Sequence, residues 1–399
     1  MIYRFMNFVK NRISTGINII ILSPKTIYTE LLIKSLKAKK TQYISVKSST
    51  LPFSLLKLIK MRFENFKLIH LQWLPTNSIL LFFAFIFLLK LLRFKIIWTM
   101  HNILPHEMAR HSRFLSFQLY KQADRVILAS KHNLMQLQSE LGIEDFAKIR
   151  YIPIGELSDY FGGSVLLDES TVPSPKRLWH VGDLGSNRTQ EAVRQNLNIP
   201  LAKKIFLYLG TIRHYKGIHN FLLALKQLTT ERDDVIGIIA GKATEPEFIH
   251  QIDEFKKDLG DRLIVNLNYI PNQEIQNYLL ASDVVVLPYE RVTNSLSIFL
   301  PYAFARPAIS IDAGNIKDVV QNRITGILLS DANPDKLFPA MKQILTMDYQ
   351  KMGELGKEFI RNNFAWEKIG HMTNDLYRDC LSDRGDLNRL VIFQWGRIE

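Results

Sequence analysis

The chain has 399 residues, which favours two or more domains over one compact core. Hydrophobic residues make up 47% of the chain and charged residues 22%, a composition typical of packed globular proteins and not of disordered ones. The one cysteine, Cys380, excludes an intramolecular disulfide and a zinc site built from cysteines, and it fits a reducing compartment.

The net charge of +13 originates in the N-terminal quarter of the chain. Residues 1–100 hold 16 Lys and Arg against 2 Asp and Glu, so the remainder is almost neutral. This quarter also contains an apolar run over 79–89, followed by Lys90 and Arg93. The run is shorter than the roughly 20 residues of a membrane-spanning helix, and the N-terminus shows no signal peptide. Apolar helices with Lys and Arg at their ends are typical of a protein surface that binds anionic lipid. The alternative is a buried helix whose lysines reach solvent.

Short apolar runs alternate with helical segments in both halves of the chain, as expected of parallel βαβ units. The predicted strands of the first half are 17–22, 68–71, 95–100 and 126–129, and those of the second half are 204–210, 235–240, 263–267, 283–288 and 308–311. Residues 155–200 interrupt this rhythm with Gly, Pro and polar residues, which indicates a domain junction.

The pattern predicts an α/β fold with two Rossmann-like, doubly wound domains. We place an N-terminal domain at 1–185, a C-terminal domain at 186–365 and a C-terminal helical segment at 366–399. Ligands of such folds bind at the carboxyl ends of the strands. Motifs that directly follow a predicted strand are therefore the candidate site residues.

The sharpest motif follows the strand predicted at 204–210. Gly210 has no side chain and permits close approach of a ligand, and Arg213 and Lys216 are three residues apart and can converge on one anion. The helix that begins near Gly217 adds the positive end of its dipole. These features predict a diphosphate site that needs no metal, and a solvated basic turn is the alternative.

A second motif precedes the helix predicted at 295–305. Thr293, Asn294 and Ser295 are residue types that cap helices, and free backbone N–H groups at the helix start, with a hydroxyl and an amide beside them, also suit phosphate oxygens. The sequence leaves simple capping and phosphate binding equally open at this position.

A third motif follows the strand predicted at 95–100. It contains His101, Asn102, His106 and Glu107. A histidine at a strand end can act as a general base or as a hydrogen-bond donor, and a structural histidine is the alternative. The separation of five between His101 and His106 does not match a helical zinc pair, so no metal is expected.

With these motifs the chain resembles GT-B glycosyltransferases, in which two Rossmann-like domains face each other across a cleft. The second half resembles glycosyltransferase family 4 through the loop from Gly210 to Gly217, the segment 281–288 and Ala305-Arg306-Pro307. A narrower similarity is to bacterial exopolysaccharide glycosyltransferases such as the GDP-mannose:glycolipid 4-β-D-mannosyltransferase of xanthan assembly. That similarity is carried by residues 69–73, 99–107, 212–217 and 287–295.

The resemblance implies transfer of a hexose, mannose in that branch, from a nucleotide-diphosphate sugar to a lipid-linked saccharide in exopolysaccharide or capsule biosynthesis. It implies a peripheral protein on the cytoplasmic face of the plasma membrane, with no cofactor and no metal. The implied catalytic residues are His101, Arg213 and Lys216. The implied donor-binding residues are Gly210, Thr211, Arg213, Lys216, Glu290, Asn294 and Ser295. Asn102, His106 and Glu107 would lie near the acceptor or the sugar.

Two departures from family 4 concern its pair of glutamates, which are eight residues apart. Aligned on Ala305-Arg306-Pro307, these positions hold Val292 and Leu300, and Glu290 is the nearest substitute for the first. The exopolysaccharide branch also lacks the pair and inverts the anomeric centre, whereas family 4 retains it, so the stereochemistry stays open. The missing glutamates motivate an alternative function, a catalytically inactive GT-B-fold protein that binds a glycolipid or serves as a scaffold at the membrane. Nucleic acid is not expected as a partner, because the basic region lacks interleaved aromatic residues.

Overall fold

The structure is a computed structural model that describes residues 17–24, 26–36, 40–44, 51–73, 78–103, 111–158 and 189–382. The chain divides into two compact units, one formed by Met1–Gly155 with Asn363–Glu399 and one formed by Glu156–Asn362. Each unit contains a six-stranded sheet in which all paired strands are parallel. The predicted fold class, two Rossmann-like α/β domains, is confirmed. His106 and Glu107 lie outside the described residues.

The first unit is built on the strand order β2-β1-β3-β4-β5-β6. Its strands are β1 (Asn18–Leu22), β2 (Lys40–Ile44), β3 (Leu68–Leu71), β4 (Lys95–Met100), β5 (Arg125–Leu128) and β6 (Ile149–Tyr151). Its helices before the junction are α1 (Ile27–Ser35), α2 (Leu51–Phe63), α3 (Ile79–Leu91), α4 (Ser112–Gln122) and α5 (Asn133–Leu141). Three consecutive isoleucines of β1 are fully buried, as expected where helices cover both faces of a parallel sheet. The strand order reverses direction between β1 and β3.

The second unit is built on the order β12-β11-β10-β7-β8-β9. Its strands are β7 (Lys204–Leu209), β8 (Val235–Ala240), β9 (Leu263–Asn266), β10 (Val284–Leu287), β11 (Ala308–Ile311) and β12 (Gly326–Leu329). Its helices are α6 (Gln190–Asn196), α7 (Ile218–Glu231), α8 (Pro246–Leu259), α9 (Asn272–Ala281), α10 (Phe299–Ala303), α11 (Ile316–Val319), α12 (Pro334–Ile344) and α13 (Tyr349–Phe364). The order reverses between β7 and β10, and the crevice at such a switch point is where doubly wound sheets bind ligands.

The last described helix, α14 (Trp366–Leu381), belongs to the first unit. It packs on α1 so closely that a Cβ added to Gly370 would lie 2.2 Å from the carbonyl oxygen of Ser35. Tyr377 of the same helix is buried and bonds to His70. The C-terminal segment, expected to stand apart from residue 366 onward, therefore belongs to the first unit because of the contacts of α14. The limit expected at 185/186 lies instead after Gly155.

Helix α3 contains the apolar run that the sequence singles out. Within the described ranges, no helix is long and apolar enough to cross a membrane. One face of α3 is buried in the core through Phe82, Phe85, Ile86 and Leu89, which recur at helical spacing.

Candidate functional site

The loop between β7 and α7 lies at the switch point of the second sheet. Gly210 follows β7 directly and has φ +124°, and a 3₁₀ turn over His214–Lys216 leads to Gly217, with φ +66°, at the start of α7. The first amides of α7 have no acceptor within the helix, so this end carries the positive pole of the helix dipole. The predicted strand, loop and helix are thus all present, with β7 ending one residue earlier than expected.

Lys216 folds back over the end of β7. A Cβ added to Gly210 would lie 3.2 Å from Lys216 Nζ, so the missing side chain of Gly210 makes room for the ammonium group. Burial, followed by the neighbouring Arg213, lowers the pKa of Lys216 to about 8. Burial and the charge of Arg213 both disfavour a positive charge on Lys216, and a bound anion would offset both effects. The loop therefore presents two adjacent cations at a place that favours an anion.

The segment after β10 packs against this loop, as the pairing of β7 with β10 requires. The amide of Glu290 donates a hydrogen bond to the carbonyl oxygen of Tyr215 at 2.9 Å. A Cβ added to Gly217 would lie 1.9 Å from the carbonyl oxygen of Pro288, so only glycine fits there. The structure thus brings the segment that leads to the second predicted motif against the first motif. The side chains of Thr211 and Glu290 are exposed beside them.

Ser295 holds the second motif in place. Its amide donates to Asn315 Oδ1 at 2.7 Å, and its hydroxyl lies 3.0 Å from the hydroxyl of Tyr289. The predicted helix over 295–305 is a 3₁₀ turn at Leu296–Ile298 followed by the short α10. The expectation of free amides at this position is therefore wrong for Ser295, whose N–H is already bonded, while Asn294 beside it is half-buried.

His101 directly follows β4, whose bounds are those predicted from the sequence. It is half-buried, its Nε2 lies 2.9 Å from Gln72 Oε1, and its ring stacks on Trp73 at 4.7 Å between centroids. Tyr28 of α1 meets the ring edge-on at 4.8 Å. Burial lowers the pKa of His101 to about 4, so the imidazole is neutral at pH 7 and can accept a proton or a hydrogen bond. Asn102 beside it is half-buried.

Behind His101 lies a buried polar network that the sequence analysis did not single out. His70 Nδ1 lies 2.6 Å from the hydroxyl of Tyr377, and its Nε2 lies 2.7 Å from Thr99 Oγ1. Gln72 connects this pair to His101. The signal for most of this network is in the sequence, because His70 and Gln72, like Thr99 and His101, alternate with apolar residues at the ends of two strands.

In the part of the chain that the structure describes, one group of side chains has the composition of a metal site. It consists of His214, Glu245 and Glu247, whose ligand atoms lie within 4.8 Å of one another. His214 Nε2 is 3.2 Å from a carboxylate oxygen of Glu245 and 2.7 Å from one of Glu247. Both glutamates lie at the start of α8, where the helix dipole stabilises carboxylates and opposes a cation. Pairing among these three side chains accounts for the cluster, and we assign it no ion.

The comparisons with known proteins agree with this geometry. Residues 189–365 match the family model described as Glycosyl transferases group 1. The chain is 24% identical over 224 residues to a D-inositol 3-phosphate glycosyltransferase of Corynebacterium aurimucosum, an alignment that covers 54% of this chain and 52% of that protein. It is 25% identical over 190 residues to a lipopolysaccharide 1,2-N-acetylglucosaminetransferase of Salmonella typhimurium, covering 45% and 49%. The chain therefore spans about half the length of the curated relatives it matches.

Solved structures extend the likeness to both units. A glycosyltransferase of Rickettsia africae superposes with a TM-score of 0.68 at 18% identity, over 92% of this chain and 99% of that one. Anabaena Alr3699/HepE in complex with UDP superposes with a TM-score of 0.67 at 14% identity, over 91% and 100%. The chain has the GT-B fold. The second unit of this GT-B chain is similar in sequence to glycosyl transferases group 1.

Gly217→Ala is expected to disrupt the loop of this unit. Its Cβ would meet the carbonyl oxygen of Pro288, so the backbone must shift in addition to the roughly 1–2 kcal/mol of left-handed strain. Gly142→Ala is the matched control, because Gly142 has nearly the same φ, +64°, and a Cβ there meets no heavy atom within 4 Å among the described residues. Chemical unfolding should show that Gly217→Ala lowers the free energy of unfolding clearly more than Gly142→Ala does. Equal losses would contradict the close approach of Gly217 to the carbonyl oxygen of Pro288.

Proposed function

We propose that this chain transfers a hexose from a nucleotide-diphosphate sugar to a hydroxyl of a lipid-linked saccharide, with the second unit holding the nucleotide. The observation that supports this most strongly is the pair Arg213 and Lys216 at the β7–β10 switch point, where Lys216 carries a lowered pKa. The names of the relatives support the same reaction class, and a structural neighbour is a complex with UDP.

In this proposal Arg213 and Lys216 neutralise the diphosphate as the glycosidic bond breaks and negative charge develops on the leaving group. The amino end of α7 adds its dipole to the same charge. The remaining proposed donor contacts are Gly210, Thr211, Glu290, Asn294 and Ser295. Two cations and a helix end supply the charge stabilisation that a metal would otherwise provide, so we propose a reaction without a metal cofactor.

The proposed role of His101 depends on the stereochemical course. In an inverting reaction a base must deprotonate the acceptor hydroxyl, and we propose His101, which is neutral at pH 7, for that role; its lowered pKa makes it a weaker base than a free imidazole. His106 and Glu107 are the other candidates named by the sequence. In a retaining reaction the leaving phosphate takes that proton, and His101 would hydrogen-bond the sugar together with Asn102.

We propose that the protein meets the membrane with its lipid-linked acceptor through the surface of α3. Opposite its buried face, Leu80, Phe83, Phe87 and Leu91 are exposed, and Leu80 is 80% exposed. Phe114 of α4 is exposed too and lies 6.2 Å from Phe83 between ring centroids. A continuous apolar surface of this kind marks an interaction site. Exposed Lys90 and Arg93 lie at the end of α3, and exposed Lys57 and Lys60 lie on the preceding helix α2. We therefore propose that the apolar surface lies on anionic lipid at the cytoplasmic face of the plasma membrane.

The experiment that tests the function offers UDP-, GDP- and dTDP-sugars together with lipid-linked saccharides from a bacterial membrane extract. We expect one donor to label a lipid-soluble product, with exopolysaccharide or capsule precursors as acceptors and GDP-mannose as the first donor to test. Binding of a donor without transfer to any acceptor would contradict the enzyme and favour an inactive glycolipid-binding protein.

Donor affinity is expected to fall as the pH rises through about 8. The free protein holds the Lys216 proton below that pH and loses it above, whereas a diphosphate binds the charged form. Above pH 8, binding must therefore take up a proton, and affinity should weaken by up to about tenfold per pH unit. Titration calorimetry with a nucleotide sugar measures this. Lys216→Arg keeps its charge and should bind with a flatter pH profile, and a wild-type affinity that is constant to pH 10 would contradict the assignment.

Binding to liposomes is expected to require anionic lipid and to weaken as salt is added. Charge reversal of Lys57, Lys60, Lys90 and Arg93 should release the protein in a flotation assay. The matched control reverses four exposed lysines of the second unit, Lys226, Lys257, Lys336 and Lys351, which gives the same net charge. Equal release by both variants would assign the effect to net charge and contradict a specific surface.

A further inference from the structure

We propose that Gln72 is a positioning residue that keeps the proton of His101 on Nε2 and so leaves Nδ1 as the nitrogen that accepts a proton or a hydrogen bond. This inference rests on the proposed role of His101. Gln72 follows β3 and His101 follows β4, and these strands are neighbours with His70 opposite Ile97. With a side-chain period of two, His70, Gln72, Thr99 and His101 all lie on one face of the sheet.

The orientation of the Gln72 amide follows from its distances to His70. Its nitrogen lies 3.0 Å from Nε2 and 3.3 Å from Nδ1 of that ring, and two such similar distances place the nitrogen over the ring face and not at its edge. Burial lowers the pKa of His70 to about 3, so the ring is neutral and its face is electron-rich. That face attracts the N–H groups of the amide and disfavours its oxygen.

The amide oxygen of Gln72 is therefore directed to His101, 2.9 Å from Nε2. An amide oxygen can only accept, so His101 Nε2 must carry the hydrogen, and the lone pair of the neutral ring is on Nδ1. A partner that both accepts and donates, such as a hydroxyl, would not impose this tautomer.

The support behind Gln72 is rigid. The His70 ring is held at both nitrogens, by Tyr377 at 2.6 Å and by Thr99 at 2.7 Å. His70, Gln72 and Thr99 are at most 1% exposed, whereas His101 is half-buried and is the member of the network that reaches the surface. In metal sites, outer partners of this kind fix the tautomer and orientation of the ligand histidine, and their loss typically costs 10–100-fold; we expect a loss of the same scale at His101.

The test combines kinetics with nitrogen NMR of histidine-labelled full chain, with His101 assigned through His101→Asn. Wild type should show His101 as the neutral Nε2–H tautomer at pH 7. Gln72→Met should lower turnover about 10–100-fold with unchanged donor affinity and remove the hydrogen-bonded Nε2 proton. Gln72→Glu keeps an acceptor oxygen, so it should restore that proton and raise the pH at which His101 titrates. Thr373→Val, a buried change in the same unit outside the network, controls for stability.

An Nδ1–H tautomer in wild type, or wild-type turnover by Gln72→Met, would overturn the inference. Melting temperature and donor binding identify any variant that fails to fold, and the His101 tautomer of wild type, determined by NMR, then decides the test. A wild-type chain that transfers no sugar would remove the proposed function. The tautomer assignment would still be decided by NMR, so the two failures are distinguishable.

Discussion

Arg213→Ala and Lys216→Ala should each lower turnover by roughly two orders of magnitude or more, the scale of losing one charged contact to a transition state. The fold should survive in both variants. The charge of Lys216 is disfavoured by burial and by Arg213, so its removal relieves an unfavourable interaction in the free protein. Steady-state rates beside melting temperatures measure the two effects separately.

Lys226→Ala and Arg232→Ala are the matched controls for these variants. Both side chains are cations of the same unit, and each is paired with a carboxylate away from the β7–β10 switch point. They should keep wild-type turnover. Wild-type turnover by Arg213→Ala and Lys216→Ala would remove the basis of the proposed mechanism.

His101→Ala should lower turnover strongly while nucleotide-sugar affinity stays nearly unchanged, because the proposed nucleotide site belongs to the other unit. Because the pKa of His101 is about 4, the wild-type rate should show no loss from its protonation as the pH falls from 7 to 5. Turnover, donor affinity and melting temperature measured together check this expectation.

If His101 has only a structural role, the His101→Ala variant should behave differently. Truncation would then leave Gln72 Oε1 without its present partner and cost about 1–3 kcal/mol of stability, and activity would fall only as far as folding did. A large loss of stability with normal turnover in the folded fraction would contradict a role in transfer. The anomeric configuration of the product, determined by NMR, decides whether His101 acts as a base or as a hydrogen-bond donor.

Most strands that could be predicted from the sequence are buried ones, and the exception is the edge strand β9, whose Leu263-Ile264-Val265 run is apolar. β3, β4, β8 and β11 have the predicted bounds, because strands covered on both faces appear as continuous apolar runs. The strands that were missed, β2, β6 and β12, all lie at sheet edges. β2 contains Lys, Thr and Gln and is mostly half-exposed, and β6 has three residues, so neither gives an apolar signal. The return of α14 to the first unit could not be predicted, because it depends on contacts such as Tyr377 with His70, 307 residues apart.

The candidate site was predictable where its chemistry is local. Gly210, Arg213, Lys216 and Gly217 lie within eight residues, and the structure places them at the switch point as expected. Asn315 was missed because it reaches Ser295 from the loop after β11, twenty residues away. The lowered pKa of Lys216 depends on its burial and on Arg213, and the room for its ammonium group depends on the missing side chain of Gly210; spacing alone shows none of this.

If Arg213 and Lys216 hold the diphosphate of a nucleotide sugar, their removal must abolish most of the donor binding, which titration calorimetry at pH 7 measures. UDP-, GDP- and dTDP-sugars are titrated into wild type, the double variant Arg213→Ala/Lys216→Ala and the control Lys226→Ala/Arg232→Ala. We predict that one nucleotide class binds wild type and the control alike, and that the double variant binds it at least 100-fold more weakly. A donor at 100 times its wild-type Kd should also stabilise wild type by about 2.7 kcal/mol and the double variant by at most about 0.4 kcal/mol. Equal binding by the double variant, or no binding of any nucleotide sugar by wild type, would show that Arg213 and Lys216 do not hold such a donor.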